Sequence, residues 1–173
     1  MTPVMGPSCA GALAVDSGAV LRLENQLCFP LYACAKEIVR RYAPLLEDLG
    51  LTYTQYICMM ALWEQDAVTV ASLGARVHLD SGTLTPLLKK LEARGLVIRE
   101  RSAEDERCLT VRLTPAGRAL REEAARVPVQ MACGLPLSPE EGAELGALLW
   151  KLLGRLDAPA EEKEAEGCPK SLK

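Results

Sequence analysis

Apolar residues recur with the period of a helix over most of this chain. Over about residues 27–49 they predict a long amphipathic helix, which Phe29-Pro30 begins and Gly50 ends. Pro44 should bend this helix or break its last turns, because proline has no backbone N–H. The apolar face of this helix consists of Leu31, Ile38, Leu45 and Leu49.

Three shorter helices are predicted further along the chain. Thr52 and Gln55 form a capping box at the start of the first, and Thr69 caps the second, VASLGARV. Ser81 caps the third, which Gly95 ends. The inward stripe of this third helix has helical spacing and consists of Leu84, Leu87, Leu88 and Leu91.

The pattern then changes from helical to extended. Val97–Arg101 and Leu109–Leu113 predict two strands, and the polar SAEDERC between them predicts a hairpin tip. Thr114-Pro115 starts another helix, which runs to about Pro128. Residues 138–141 form a capping box with proline at the first helical position, and open a last helix with a leucine stripe.

This order of elements predicts a mainly α fold with a small β-hairpin wing, a winged helix-turn-helix over about residues 52–114. The flanking helices, about 27–49 and 115–156, keep apolar stripes that the small central module cannot cover. We therefore expect N- and C-terminal dimerisation helices and a homodimer. An intramolecular helical bundle is the alternative.

The composition agrees with packed helices, since 49% of the 173 residues are hydrophobic and only 4% are aromatic. Residues 1–20 and 158–173 predict a flexible arm and a flexible tail around a domain over 21–157. No apolar run is long enough for a membrane span, and the N-terminal segment lacks the basic region of a secretory signal. We therefore expect a cytoplasmic protein that does not associate with a membrane.

Charge is distributed unevenly along the chain, whose net charge is −3. From Arg76 to Arg121, ten Lys and Arg stand against six Asp and Glu, a local charge of +4 that leaves −7 for the remainder. A basic middle in an acidic chain is typical of a module that contacts phosphates.

The seven cysteines include no C-x-x-C pair, and His78 is the single histidine. We therefore expect no metal site and no cofactor, and interpret His78 as structural or as a phosphate contact. A disulfide framework is not expected in a reducing compartment. The cysteines are therefore either small core residues or reactive thiols.

The predicted wing contains an Asp-x-Arg signature, Asp105-Glu106-Arg107, within the run Leu79–Arg118. This run resembles the MarR-type winged-helix repressors. Glu24–Glu64, with its Cys-Phe motif and two downstream tyrosines, is similar to the OhrR branch, repressors that sense organic hydroperoxides through one cysteine. The resemblance covers about residues 24–156.

The third predicted helix is the candidate DNA-recognition helix. Its leucines face inward, which leaves an outward face of small hydroxyls and cations that suits base edges and phosphates. The resemblance implies that Asp105 orients Arg107, which reaches a minor groove or the backbone. An ordinary solvated face is the alternative. The predicted DNA-binding residues are Ser81, Thr83, Thr85, Pro86, Lys89, Lys90, Arg94, Asp105 and Arg107.

Cys28 is the candidate sensor thiol. It stands at the entry of the first long helix, where the helix dipole favours the thiolate that attacks peroxides, although a core cysteine is the alternative. The resemblance implies that Tyr42 and Tyr53 hydrogen-bond its sulfur. It also implies that Cys133, at the junction of the last two helices, is the resolving cysteine of a two-cysteine regulator. We expect Cys58 to be core.

The sequence thus predicts a homodimeric transcriptional repressor that binds a pseudo-palindromic double-stranded operator and is not an enzyme. The apolar neighbours of Cys28 favour organic hydroperoxides over hydrogen peroxide as the oxidant of its thiol. An intersubunit disulfide between Cys28 and Cys133 would then release the DNA. The main rival hypothesis is a MarR-type repressor gated by a small aromatic ligand without cysteine chemistry. A thiol peroxidase and a structural helical protein are two weaker rival hypotheses.

Overall fold

The computed structural model describes residues 17–101 and 108–158. The chain divides into two compact units. Of the described residues, the terminal unit comprises 17–33 and 135–158, and the central unit comprises 34–101 and 108–134.

The elements follow one another in an order that places a small sheet among helices. The helices are α1 (Ser17–Val20), α2 (Cys28–Glu47), α3 (Tyr53–Glu64), α4 (Val70–Val77), α5 (Ser81–Ala93), α6 (Pro115–Ala124), α7 (Arg126–Gly134) and α8 (Pro139–Asp157), with a 3₁₀ turn at Leu23–Asn25. The strands are β1 (Val68–Thr69), β2 (Val97–Arg101) and β3 (Leu109–Leu113).

The central unit has the predicted winged helix-turn-helix order. The capping box of α3 is confirmed, because the Thr52 N–H donates to the Gln55 side chain at 2.9 Å and the Thr52 hydroxyl accepts from the Gln55 N–H. Thr69 caps α4 as predicted, accepting from the Ser72 N–H at 3.1 Å. The two predicted strands have the expected bounds and pair antiparallel, with Arg99 opposite Val111.

Two local predictions were wrong, and a third was wrong in one of its two alternatives. Asp80, one residue before Ser81, is the N-cap of α5. Helix α2 continues through Pro44, so its last turns are not broken there, and the bend stays a prediction. The helix predicted to end near Pro128 is two helices, and α7 runs on, so Cys133 lies in its last turn and not in a loop. Pro128 is tolerated there because it occupies the first turn of α7, where backbone N–H groups have no helical partner.

A third strand, which sequence analysis missed, completes the sheet. β1 pairs antiparallel with β3, with Val68 opposite Val111 and Thr69 opposite Thr110, and the order is β1-β3-β2. A two-residue strand has no alternation of its own to detect, so its existence depends on the pairing with β3.

The buried core lies in the central unit, between the helices and one face of the sheet. The predicted inward stripe of α5 is confirmed, since all four of its leucines are buried. Side chains from α2, α3, α4 and both long strands meet this stripe, and the fully buried ones include Leu46, Tyr56, Leu62, Leu73, Val97 and Val111. This packing fixes which face of α5 remains exposed.

The terminal unit is built differently. Its longest helix, α8, has the predicted capping box, in which the Ser138 N–H donates to Glu141 at 2.8 Å and the Ser138 hydroxyl accepts from the Glu141 N–H at 3.2 Å. None of the residues of α8 is buried. No helix within residues 17–101 and 108–158 has both the length and the apolar character to cross a bilayer.

Candidate DNA-binding and thiol sites

Helix α5 presents an exposed face opposite its leucine stripe. The six predicted DNA contacts on this helix are all exposed, namely Ser81, Thr83, Thr85, Pro86, Lys89 and Lys90. Within the described ranges, neither lysine ammonium forms an ion pair. This face therefore offers hydroxyls near the start of the helix and two cations further along, as a recognition helix requires.

The N-terminus of α5 is occupied by a carboxylate. Asp80 accepts from the Thr83 N–H and from the Thr83 hydroxyl, both at 2.9 Å. These two hydrogen bonds, the backbone one first, lower the pKa of Asp80. The sequence predicted that the N–H groups of this helix suit a phosphate. The negative charge of Asp80, already at that end of the helix, makes phosphate binding there less favourable.

The Arg94 side chain forms its hydrogen bonds with another part of the central unit. Its guanidinium donates to the Leu49 carbonyl at 2.9 Å and also to the Gly50 carbonyl, both in the turn between α2 and α3. From sequence, Arg94 is a predicted DNA contact because its charge directly follows the recognition helix. The long-range partners of a flexible side chain give no signal in a local pattern.

The wing is joined to the recognition helix by an ion pair that sequence analysis missed. Glu92 of α5 accepts from Arg99 Nη2 at 2.6 Å, from its Nε at 3.0 Å and from its backbone N–H at 3.1 Å. The Arg99 side chain lowers the pKa of Glu92. Asp105 and Arg107, predicted at the tip, lie outside the described residues.

Cys28 is the first residue of α2 and is exposed, in the terminal unit. Large apolar side chains beside it in the chain are also exposed, with Leu27 at 72%, Phe29 at 42% and Tyr32 at 60%. The thiol is thus accessible at the start of a helix and has apolar neighbours, the two features that the sequence predicted for a sensor of organic peroxides.

Tyr42 and Tyr53 are brought together in the central unit. Their ring centroids are 4.9 Å apart, and the Tyr42 ring is 6.1 Å from that of Tyr56. Burial, and then the proximity of Tyr53, raise the pKa of Tyr42, so its hydroxyl stays protonated at neutral pH. Two residues 11 positions apart in sequence therefore form one aromatic pair across the α2–α3 turn.

The other cysteines differ in exposure. Cys133 and Cys34 are exposed, whereas Cys58 is fully buried, as predicted, and burial raises its pKa to about 11. Cys9 and Cys168 lie outside the described residues. A thiol with such a pKa stays protonated and inert at neutral pH, so Cys58 is a core residue.

His78 has a backbone role. It ends α4 in the left-handed conformation, with φ of 52°. Within the described parts of the chain, no group of three or more His, Cys, Asp and Glu side chains is arranged to hold a metal ion.

Comparison with known proteins shows that this chain is similar to transcriptional regulators. The family model described as transcriptional regulator SarA/Rot matches residues 40–124. The chain is 46% identical over 128 residues to the organic hydroperoxide resistance transcriptional regulator of Bacillus subtilis, covering 74% of this chain and 85% of that protein.

Solved structures agree with the sequence comparison. The structure of reduced AbfR bound to DNA is similar with a TM-score of 0.69 at 36% identity, covering 80% of this chain and 94% of that chain. The structure of disulfide-formed AbfR is similar with a TM-score of 0.55 at 35% identity, and the match covers 80% of this chain and 92% of that chain. AbfR is a protein of Staphylococcus epidermidis.

Proposed function

This chain belongs to the MarR-type winged-helix transcriptional regulators, in the branch of the organic hydroperoxide resistance regulators, and from this premise we propose that Cys28 is its peroxide-sensing residue. The family is one of DNA-binding regulators and not of enzymes. The observation that carries the proposal is the exposed Cys28 thiol at the first residue of α2. Oxidation of this thiol releases the operator, and the protein acts as a repressor in the cytoplasm.

The reduced protein binds double-stranded DNA through the exposed face of α5. In a homodimer the two recognition helices read the half-sites of a pseudo-palindromic operator in successive major grooves. Ser81, Thr85 and Pro86 face base edges, while Lys89 and Lys90 neutralise phosphates. The family resemblance assigns to Arg107, together with Asp105, a further contact with the minor groove or the backbone, and both residues lie outside the described ranges.

The sensing step is a two-electron oxidation of sulfur. The Cys28 thiolate attacks one oxygen of an organic hydroperoxide, the O–O bond breaks, and an alcohol leaves after taking up a proton. Sulfur is oxidised to sulfenic acid and the peroxide is reduced. Apolar neighbours, including the exposed Leu27 and Phe29, favour alkyl or lipid hydroperoxides over hydrogen peroxide.

Tyr42 and Tyr53 hold the reduced sulfur. A phenol donates a hydrogen bond to a thiolate without competing as a nucleophile, provided that it remains protonated. Burial, together with the neighbouring Tyr53, raises the pKa of Tyr42, which supports this role. Oxidation of Cys28 changes these hydrogen bonds and thereby affects the helices that carry the two tyrosines.

Cys133 of the partner subunit resolves the sulfenic acid. Its thiol attacks the oxidised sulfur, an S–S bond forms, and the hydroxyl leaves as water. The exposure of Cys133 in the last turn of α7 supports this assignment. The resulting intersubunit disulfide draws the subunits into an arrangement whose recognition helices no longer match the half-site spacing.

The test combines a non-reducing peptide map with DNA binding. The duplex is selected from a random pool by the reduced wild-type protein, and the oxidant is one equivalent of cumene hydroperoxide. We expect a Cys28–Cys133 crosslinked dimer and a rise of about 5- to 150-fold in the dissociation constant for DNA. C28S should bind DNA with unchanged affinity before and after peroxide.

Cys34→Ser is the matched control, because Cys34 is a second exposed cysteine of the same helix. It should behave as the wild type. C133S should form no covalent dimer and should release DNA less completely than the wild type, because only the sulfenic acid then changes the hydrogen bonds of Tyr42 and Tyr53. Release from C28S equal to that from the wild type would contradict the proposal and favour the repressor gated by a small aromatic ligand.

A further inference from the structure

The guanidinium of Arg94 connects the recognition helix to the end of α2. Arg94 is the C-cap of α5, and its side chain binds the carbonyl oxygens of Leu49 and Gly50. These carbonyls are 45 and 44 positions away in sequence. One side chain therefore joins the recognition helix to the turn that links α2 and α3.

The end of α2 has a geometry that leaves these two carbonyls available. The Leu51 N–H donates to the Leu46 carbonyl at 3.2 Å, and the Gly50 N–H donates to the Glu47 carbonyl at 2.8 Å. This pair of bonds is a Schellman motif, with Gly50 at φ of +60°. The carbonyls of Leu49 and Gly50 lie outside it, at the negative end of the helix dipole, where a guanidinium is favoured.

Gly50 is needed for the close approach of the guanidinium. A Cβ atom at this position would lie 2.8 Å from Arg94 Nη2 and 3.3 Å from its Cζ. On the other side of the turn Leu51 is buried, and the capping box of Thr52 begins α3 directly. We expect a turn constrained in this way to move as a unit, together with the Arg94 side chain that is hydrogen-bonded to it.

The aromatic pair lies on the two helices that this turn connects. Tyr42 belongs to the last turns of α2 and Tyr53 is the first residue of α3, with ring centroids 4.9 Å apart. A change at the sulfur that these tyrosines are proposed to hold would shift the two helices, and with them the turn held by Arg94. This step rests on the proposed function.

Helix α5 and the wing would follow such a shift together. Glu92 lies two residues before Arg94 and binds Arg99 of β2 through three hydrogen bonds. The C-terminal end of the recognition helix is thus attached to the wing by Glu92 and to the α2–α3 turn by Arg94. The recognition helix and the wing are therefore both coupled to the α2–α3 turn through the C-terminal end of α5.

We propose that Arg94 is a positioning residue that transmits the oxidation of Cys28 to the recognition helix, through its two hydrogen bonds to the α2–α3 turn. It acts through α5 and does not itself contact DNA. This assignment differs from the DNA contact that the sequence predicts, and the two roles have different consequences for salt dependence and for the response to peroxide.

The experiment compares R94A with the wild type on the selected duplex, before and after one equivalent of cumene hydroperoxide. We expect the ratio of oxidised to reduced dissociation constants to fall to within about three-fold of one. The slope of affinity against salt concentration should stay unchanged. R94K keeps the charge but not the planar fork, so its ratio should be intermediate and it serves if R94A does not fold.

Arg126→Ala is the matched control. Arg126 of α7 pairs with Asp48 at 2.8 Å, at the same end of α2. Among the described residues it forms no hydrogen bond or ion pair with α5, so its loss should preserve the wild-type ratio. An unchanged ratio in R94A overturns the proposal. A salt slope reduced by about one also overturns it, because that is the signature of a lost phosphate contact. A ratio of one in the wild type would instead show that the proposed function itself has failed.

Discussion

Asp66 joins three parts of the central unit through one carboxylate. Its Oδ1 accepts from the Leu113 N–H of β3 and from the Ala67 N–H, both at 2.8 Å, and its Oδ2 accepts from Arg118 of α6 at 2.7 Å. Burial alone would raise the pKa of Asp66, but these hydrogen bonds outweigh it and lower the pKa. The same carboxylate supports Ala67 at a positive φ of 58°, which is unfavourable for alanine.

Asp66→Asn should destabilise the protein in a manner that depends on pH. A carboxylate whose folded pKa is lowered adds stability above its unfolded pKa, about 4, and loses it as the pH falls through the folded pKa. We expect D66N to unfold more easily by about 1–3 kcal/mol at pH 7 and the gap to narrow at pH 3. Urea denaturation at pH 7 and at pH 3 measures the difference in unfolding free energy between D66N and the wild type.

Asp48→Asn is the control for the loss of a carboxylate. Asp48 is 76% exposed in its pair with Arg126, so its replacement should cost less than about 1 kcal/mol. A D66N gap of the same size at pH 7 and pH 3 would show that the Asp66 charge is not the source of the stability.

At the scale of elements, the wing is held by α6, which begins directly against its backbone. Thr114 caps α6 by accepting from the Gly117 N–H at 2.9 Å, and the Thr114 N–H donates to the Leu96 carbonyl at 3.1 Å. Trp63 of α3 donates to the Gly117 carbonyl at 2.8 Å. A Cβ on Gly117 would overlap the Leu96 carbonyl oxygen, so the helix and the turn before β2 approach at a distance that only glycine allows.

Gly117→Ala should therefore destabilise the central unit by about 2 kcal/mol or more, because backbone atoms must move to admit the methyl group. The free energy of unfolding in urea measures the effect. Gly154→Ala in α8 is the control, since no atom lies within 4 Å of a Cβ there. It should leave stability unchanged or increase it by up to about 1 kcal/mol. Equal effects of the two substitutions would refute the close approach.

At the scale of the whole molecule, the two units bury their apolar side chains to different extents. Every buried core residue in the described ranges belongs to the central unit. Helix α8 of the terminal unit has none, and Leu148 is 64% exposed. Four of its leucines, Leu145, Leu148, Leu149 and Leu152, line an open, mainly apolar groove of about 410 Å³ together with Leu27 and Leu31. A helix that buries no apolar face is marginal in water, so this surface favours a second copy of the chain.

Leu148→Glu should weaken the proposed homodimer by more than about 100-fold, because a carboxylate buried in an apolar interface is unfavourable. Sedimentation measures the monomer fraction, and binding to the selected duplex should fall with it. Ala147→Glu places the same charge at the preceding position of α8, which is exposed on a different face of the helix, and should remain dimeric. A dimeric L148E would place the interface elsewhere.

The sequence by itself determined most of the elements and one face of the recognition helix. Local signals, each contained in a few helical turns or one strand, predicted these features. They are the period of the α5 leucines, the capping boxes of α3 and α8, and the bounds of β2 and β3. The family resemblance rests on contiguous motifs for the same reason. These predictions succeeded because each depends on neighbours along the chain.

Only the tertiary structure decided which distant groups meet. Strand β1 exists through its pairing with β3, the Arg94 side chain binds the α2–α3 turn, and Tyr42 lies against Tyr53. Asp66 gathers groups from β3 and α6 in the same way. Such contacts depend on how separate elements pack, because a side chain binds whichever partner that packing brings within reach. A local pattern contains no signal for these partners.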